Sequence, residues 1–387
     1  MKKGWEIKKL GEVCQFQGGS QPPKSEFIYE PRENYVRFLQ IRDFKSNKHL
    51  TFIPESTKNR YCNESDILLG RYGASVGKVL VEKKGAYNVA VMKSIPNEEI
   101  LNKRYLYFYF NSVDFQKRLK NVASRSAQNG FSKNDIFNFP ILIPPLSEQK
   151  RIVEILDKVF SAIDKAKANA EQNLKNAKEL FESYLNGIFE NKSGDWEEKK
   201  LGEVCRIISK LIDPKKPQYQ NFLHIGAGNI ESKKGTIKKL KTAKEENIIS
   251  GKFLFDERMV LYSKIRPNLM KIVKCDFEGL CSADIYPLSP INKEITQSFL
   301  YYLFFTIKFT EYAIEGSQRA GMPKVNRNHL FKYSFYCPSI QRQQKIVEKL
   351  ESLSAETKKL ESIYQKKIED FEELKKSILQ KAFNGEL

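Results

Sequence analysis

The fold is decided by residues 147–189, which read SEQKRIVEILDKVFSAIDKAKANAEQNLKNAKELFESYLNGIF. Apolar residues recur here at alternating steps of four and three, the heptad spacing of a coiled-coil helix. A helix with such a seam needs a partner along most of its length, because its apolar side is unfavourable in water. The predicted seam comprises Ile152, Leu156, Val159, Ile163, Ala166, Ala170, Asn173, Ala177 and Leu180.

The same pattern returns 194 residues later, near the end of the chain. We predict that the two helices pair antiparallel, because small residues then face large ones and Asn173 faces Thr357. In that register Ala166 meets Tyr364, Ala170 meets Leu360, and Ala177 meets Leu353. The second seam comprises Ile346, Leu350, Leu353, Thr357, Leu360, Tyr364, Phe371, Leu374 and Ile378.

The repeat extends beyond the helices. WEIKKLGEVC at 5–14 recurs as WEEKKLGEVC at 196–205, with nine identities in ten positions. Aromatic stretches at 101–119 and 297–314 are each predicted to form the helix that packs on a domain's sheet. The sequence therefore predicts an α+β fold with pseudo-twofold symmetry from tandem duplication, in which two globular domains are joined by two long helices forming an antiparallel coiled coil. The predicted boundaries are 1–146, 147–192, 193–338 and 339–387.

Charge is distributed unevenly between these segments. The chain carries a formal net charge of +19. Residues 1–146 hold 24 basic and 14 acidic side chains and residues 193–339 hold 24 and 16, whereas residues 147–192 hold 8 of each. A uniformly lysine-rich composition would have raised the net charge of the helical segments too. Two separate basic bodies instead indicate two contacts with a polyanion such as double-stranded DNA.

Two pairs of loops carry the candidate DNA-binding residues. One pair lies in DILLGRYGASVGKV (66–79) and MVLYSKIRPNLMKI (259–272), the other in SRSAQNG (124–130) and SQRAGMPK (317–324). A solvated hairpin explains either loop alone. Because the loops occupy equivalent positions in two basic domains, a DNA-binding role is favoured. Arg, Gln, Asn and Tyr side chains suit base edges, and lysines suit phosphates. The predicted base readers are Arg71, Tyr72, Arg125, Gln128, Asn129, Lys264, Arg266, Asn268, Gln318 and Arg319, and the predicted phosphate contacts are Lys78, Lys133, Lys271 and Lys324.

Motifs for chemistry are not found. The sequence has no P-loop, no adenine-methylation motif and no metal-dependent nuclease signature, and its six cysteines contain no CxxC pair for a zinc site. No apolar run reaches membrane-span length, so a cytoplasmic location is expected. Two alternatives remain open at this point: a coiled-coil scaffold that bridges proteins, and a DNA nuclease or methyltransferase with a degenerate site.

The order of parts resembles the specificity (S) subunit of type I restriction-modification systems, the HsdS family, over essentially the whole chain. The resemblance rests on the repeated decapeptide and on PPLSEQ at 144–149 with Ile152, which heads the first long helix. Pro338, Gln343 and Ile346 head the second helix. There the sequence departs from the pattern, because Arg342 replaces the acidic residue found at Glu148.

The resemblance implies a noncatalytic subunit. Each globular domain would be a target recognition domain that reads one half of a bipartite DNA sequence, and the paired helices, as conserved spacer regions, would fix the unread gap. The implied partners are double-stranded DNA, two modification (methyltransferase) subunits and restriction subunits. S-adenosylmethionine, ATP and Mg²⁺ would belong to those partner subunits, so no cofactor is expected in this chain. Arg71→Ala is then expected to relax only one half of the target.

Overall fold

A computed structural model describes residues 4–125, 129–191, 194, 196–318 and 322–387. The chain forms two compact units. One unit comprises residues 1–171 together with 365–387, and the other comprises residues 172–364. Each unit therefore contains one globular domain with parts of both long helices.

The first half of the chain alternates short strands and helices before it enters its long helix. In chain order the elements are β1 Glu6–Lys9, α1 Leu10–Val13, β2 Cys14–Gly18, β3 Tyr35–Leu39, β4 Phe52–Pro54, β5 Tyr61–Cys62, β6 Ile67–Gly70, β7 Val79–Leu80, β8 Gly85–Tyr87, β9 Val91–Pro96, α2 Lys103–Asn111, α3 Val113–Ala123, α4 Lys133–Phe137, β10 Pro140–Ile143 and α5 Leu146–Glu190.

The second half repeats this plan. Its elements are β11 Glu197–Lys200, α6 Leu201–Val204, β12 Cys205–Arg206, β13 Leu211–Ile212, β14 Leu223–Ile225, β15 Lys241–Thr242, β16 Lys252–Phe255, β17 Val260–Ser263, β18 Ile272–Lys274, β19 Gly279–Ser282, β20 Ile285–Pro290, α7 Gln297–Leu303, α8 Ile307–Glu315, α9 Arg327–Phe331, β21 Ser334–Cys337 and α10 Ile340–Phe383.

Equivalent sheets form in the two units. The first unit has an antiparallel sheet of order β2-β9-β6-β7 and the second has β12-β20-β17-β18. A further sheet has the order β4-β3-β8-β5 in the first unit and β13-β16-β19-β14-β15 in the second. Its central pair is parallel in both, β3 with β8 and β14 with β19. A two-stranded ladder, β1 with β10 or β11 with β21, joins the start of each domain to the strand before its long helix.

The aromatic stretches form each domain's core, but each contains two helices and not the single helix predicted. Ser112 ends α2 and caps α3, with its hydroxyl accepting a hydrogen bond from the Phe115 amide. Thr306 caps α8 in the same way, through the Phe309 amide. A hydroxyl at the N-cap accepts a hydrogen bond from an amide that the start of a helix leaves unpaired. The capping residue therefore starts a new helix, although the apolar pattern continues past it.

The long helices of the first unit run antiparallel, as predicted, but in a different register, because Lys167 pairs with Glu372 whereas the predicted register places it opposite Ile363. In the first unit Asp164 pairs with Lys375 and Lys167 pairs with Glu372, so residue numbers rise along α5 as they fall along α10. In the second unit the Lys349 ammonium lies 5.8 Å from the centroid of the Tyr184 ring. The first unit thus contains an antiparallel helix pair, and the second unit also brings the two long helices into contact.

Four residues of the predicted seam are exposed. Leu180, Leu360 and Leu374 are 62%, 41% and 45% exposed. Asn173 is exposed as well, and the next residue, Leu174, is partly buried. A straight α-helix has 3.6 residues per turn and drifts by about 20° per heptad from a strict seven-residue repeat. The buried face of α5 therefore moves one residue along, to Leu174 and Phe181, while Ile152, Leu156 and Leu350 are fully buried.

Candidate DNA interface

The two candidate loops of the first domain are hydrogen-bonded to each other. We call residues 71–78 the first loop and residues 124–132 the second loop. The Gly73 amide donates to the Asn129 carbonyl at 2.9 Å, and the Phe131 amide donates to the Arg71 carbonyl at 3.3 Å. Tyr72 and Gly130 form an isolated antiparallel bridge between these bonds. A Cβ on Gly130 would lie 2.4 Å from the Tyr72 ring, so this approach requires glycine.

The second domain repeats the arrangement. Here residues 264–271 are the first loop and residues 317–326 the second loop. The Arg266 amide donates to the Pro323 carbonyl at 3.0 Å, and the Val325 amide donates to the Lys264 carbonyl at 2.8 Å. Ile265 and Lys324 form the equivalent bridge. The structure thus brings together the two loops that the sequence singled out, with the same backbone pairing in both domains.

A third loop, which the sequence analysis missed, meets the first two. It comprises residues 88–90 in the first domain and 283–284 in the second. Arg71 donates through Nη1 to the Val89 carbonyl at 3.3 Å, and Lys264 donates through Nζ to the Ala283 carbonyl. Alignment of the repeat gives the signal that could have found it, because Val89 and Ala283 stand at equivalent positions.

Arg71 and Lys264 therefore hold the loops together in this structure. Arg71 also donates through Nε to the Phe131 carbonyl at 3.2 Å, and its guanidinium lies 5.0 Å from the Tyr72 ring centroid. Lys264 lies 3.7 Å from the Asp284 carboxylate. Burial and the neighbouring Lys324 ammonium hold the pKa of Lys264 below its ordinary value. Donors engaged in this way favour an anchoring role over base reading.

Other candidates project into solvent. Arg125 and Asn129 in the first domain and Arg266, Asn268 and Gln318 in the second are exposed. No side-chain partner of Arg125, Arg266 or Asn268 occurs among the described residues. Tyr72 is half-buried beneath Arg71. Gln128 and Arg319 lie outside the described residues.

Arg266 has an unusual backbone conformation. Its φ of 49° lies in the left-handed region, which costs a residue with a Cβ about 1 kcal/mol or more. The equivalent residue of the first domain is Gly73, with φ +54°. The second domain thus keeps a long charged side chain where its repeat partner has the residue that suits this conformation. Strain of this kind concentrates at functional sites.

The predicted phosphate contacts differ in availability. Lys78 and Lys133 are exposed. Lys271 donates to the Ala227 carbonyl, and Lys324 lies 3.5 Å from the Asp284 carboxylate. Two of the four lysines are therefore open to solvent, and the other two already have contacts within their own domain.

The described ranges contain neither a metal-binding cluster nor a helix that could cross a membrane. Within them, no group of three or more His, Cys, Asp or Glu side chains is arranged to hold a metal ion. The helices in the same part of the chain are too short or too polar to cross a membrane. All six cysteine thiols are free and buried, and burial raises the pKa of Cys62 to about 11 and that of Cys14 to about 12.

Comparison with known proteins gives the same class of protein for the family match and for the individual relatives. The family described as the type I restriction modification DNA specificity domain matches this chain twice, over residues 2–175 and 193–370. The EcoDI specificity subunit of Escherichia coli is 28% identical over 367 residues, which cover 84% of this chain and 81% of that protein. The MjaVIII specificity subunit of Methanocaldococcus jannaschii is 22% identical and covers 99% of this chain and 93% of its own length.

Solved structures share the fold. One solved chain comes from a structural study of complex assembly and conformational transition of the type I R-M system. It superposes with a TM-score of 0.81 at 17% identity, and the match covers 100% of this chain and 99% of that chain. The HsdS subunit of Thermoanaerobacter tengcongensis gives a TM-score of 0.60 at 18% identity, covering 100% and 98%.

The chain belongs to the type I restriction modification DNA specificity family, of which it contains two tandem domains. It is a type I restriction-modification specificity subunit with two target recognition domains, a noncatalytic component that works together with other subunits and DNA. The predicted family, fold class and function are thereby confirmed.

Proposed function

We propose that each target recognition domain reads one half of a bipartite double-stranded DNA target through its paired first and second loops. The repeated backbone pairing of these loops carries the proposal, because it presents exposed polar side chains from the same place on both domains. The antiparallel helices then fix the number of unread base pairs between the halves.

Charge supports contact with DNA at both domains. The basic excess lies in the residues of the two globular segments, while the helical segments are balanced. Phosphate contacts from lysines position a protein on the duplex, and polar contacts to base edges distinguish sequences. Lys78 and Lys133 suit the first role. Arg125, Asn129, Arg266, Asn268 and Gln318 suit the second, because their side chains are exposed.

The partners of this assembly supply the chemistry. Two modification subunits, one for each repeat, bind S-adenosylmethionine and methylate adenine, and restriction subunits use ATP and Mg²⁺. The duplicated fold supports two copies, because it offers each surface twice. The isolated chain binds DNA weakly in this scheme, since its basic residues are divided between two bodies. Tight binding requires the modification subunits.

Binding assays with the isolated chain and with the chain assembled with its modification subunits test this function. We expect steeply salt-dependent, weakly selective binding by the chain alone, and selective binding by the assembly. Lys78→Ala should flatten the slope of log affinity against log salt by about 1 without altering selectivity. Salt-independent affinity would favour a protein scaffold, and DNA cleavage or methylation by the chain alone would favour an enzyme.

A further inference from the structure

A glutamine is fully buried at the start of each long helix. Gln149 and Gln343 are both 0% exposed, and they stand 194 residues apart at equivalent positions. An uncharged amide in such a place must satisfy both its carbonyl and its NH₂ group, so its surroundings define its orientation closely.

Gln149 joins three segments of the first unit. Its Nε2 donates to the carbonyls of Ile100 and Pro144, both at 2.8 Å. Its Oε1 accepts from the Asn102 amide at 2.8 Å, and Asn102 is itself the N-cap of α2. One side chain therefore ties α5 to the start of α2 and to the loop that leads out of β10.

Gln343 makes the same contacts in the second unit. Its Nε2 donates to the Glu294 carbonyl at 2.8 Å and to the Pro338 carbonyl at 2.9 Å. Its Oε1 accepts from the amide of Thr296, the N-cap of α7, at 2.8 Å. These three partners are the repeat equivalents of the three Gln149 partners, and Gln343 Nε2 has one further contact, at 3.3 Å from the Cys337 Sγ.

A second polar contact lies two turns further along each helix. Asp157 on α5 accepts from Arg104 on α2, with Nη2 at 2.6 Å from Oδ1. Glu351, its equivalent on α10, lies 2.9 Å from the Nζ of Lys274. The side chains of these ion pairs are 32% to 49% exposed, and partly solvated pairs of this kind add little stability. Directional contacts at two points along a helix nevertheless restrict its rotation and tilt, whereas the apolar packing of Leu156 or Leu350 between them has no directional preference.

We propose that these contacts form a helix-start clamp, comprising Gln149 and Asp157 in the first unit and Gln343 and Glu351 in the second, and that the clamp positions the domains for a fixed spacer. This inference rests on the proposed bipartite reading of DNA. Each clamp fixes the direction in which a long helix leaves its own domain. Adjacent base pairs are only about 3.4 Å apart along the duplex, so a small change in that direction admits a different spacer length.

The test measures adenine methylation by the complete assembly on duplexes whose half-sites are separated by the native spacer or by one base pair more or fewer. The target is first mapped with the wild-type assembly. Gln149→Met and Gln343→Met keep the volume but remove the amide. We expect discrimination against altered spacers to fall at least about tenfold, because loosely held groups lose geometric selectivity. Base preference within each half should not change.

Ile53→Ala is the matched control, because Ile53 is fully buried in the second sheet of the first domain, away from the clamp. It should lower the melting temperature and leave the spacer profile unchanged. Asp157→Ala and Glu351→Ala change clamp residues that are at least partly exposed, and should broaden the profile even if the methionine variants do not fold. A wild-type spacer profile in Asp157→Ala and Glu351→Ala, or equal broadening of the profile by Ile53→Ala, would overturn the proposed role of the clamp. Absence of any bipartite target for the wild type would instead overturn the proposed function.

Discussion

Arg71 and Arg125 look interchangeable in the sequence, since both are arginines in polar loops of a basic domain. They differ in the structure because the third loop offers its Val89 carbonyl to Arg71, while Arg125 faces solvent. Composition and repeat position predict which loops meet. They do not predict where a side chain points, because that depends on a carbonyl from a different loop.

An anchoring role for Arg71 predicts a loss of stability on substitution. Arg71→Ala removes hydrogen bonds to the Phe131 and Val89 carbonyls, which should lower the free energy of unfolding by about 1–3 kcal/mol. Hydrogen exchange of the Gly73 and Phe131 amides should accelerate. Arg71→Lys should retain part of the stability, because Lys264 fills the equivalent place in the second domain. Unchanged exchange in Arg71→Ala would show that the side chain is not an anchor.

The periodic pattern of apolar residues predicts some features of the long helices and misses others. The heptad repeat predicts both helices and their antiparallel pairing, which the ion pairs of Asp164 and Lys167 confirm in the first unit. It misplaces part of the seam, including Asn173 and Leu360 in the interior of the helices, because 3.6 residues per turn do not match a seven-residue repeat. A similar limit applies to the aromatic stretches, where the capping hydroxyls of Ser112 and Thr306 divide what the pattern presents as one helix.

Substitution of leucines on the helices tests the corrected seam. Leu180→Ala and Leu374→Ala should change the free energy of unfolding by no more than about 0.5 kcal/mol, because these side chains are largely exposed. Leu156→Ala, the same substitution at a fully buried position, should cost about 2–5 kcal/mol. Denaturant titration gives these values. A cost for Leu180→Ala close to that of Leu156→Ala would restore the strict heptad seam.

The tandem duplication accounts for most of what the sequence predicts correctly. Equivalent loops, caps and glutamines recur at a nearly constant offset, so each domain supports the interpretation of the other. The duplication also shows where the halves differ. Gly73 and Arg266 occupy equivalent left-handed positions, and only the second carries a long, charged side chain.

Methylation-site mapping of Arg266→Gly and Arg125→Ala in the complete assembly tests the claim that each domain reads its own half of the target. Arg266→Gly relieves backbone strain at φ 49°, which offsets the added freedom of glycine in the unfolded chain, so stability should change little. We predict that Arg266→Gly relaxes base preference in one half and Arg125→Ala in the other, each by about 1–3 kcal/mol of discrimination. Relaxation of the same half by both variants, or of neither half by either variant, would contradict the claim.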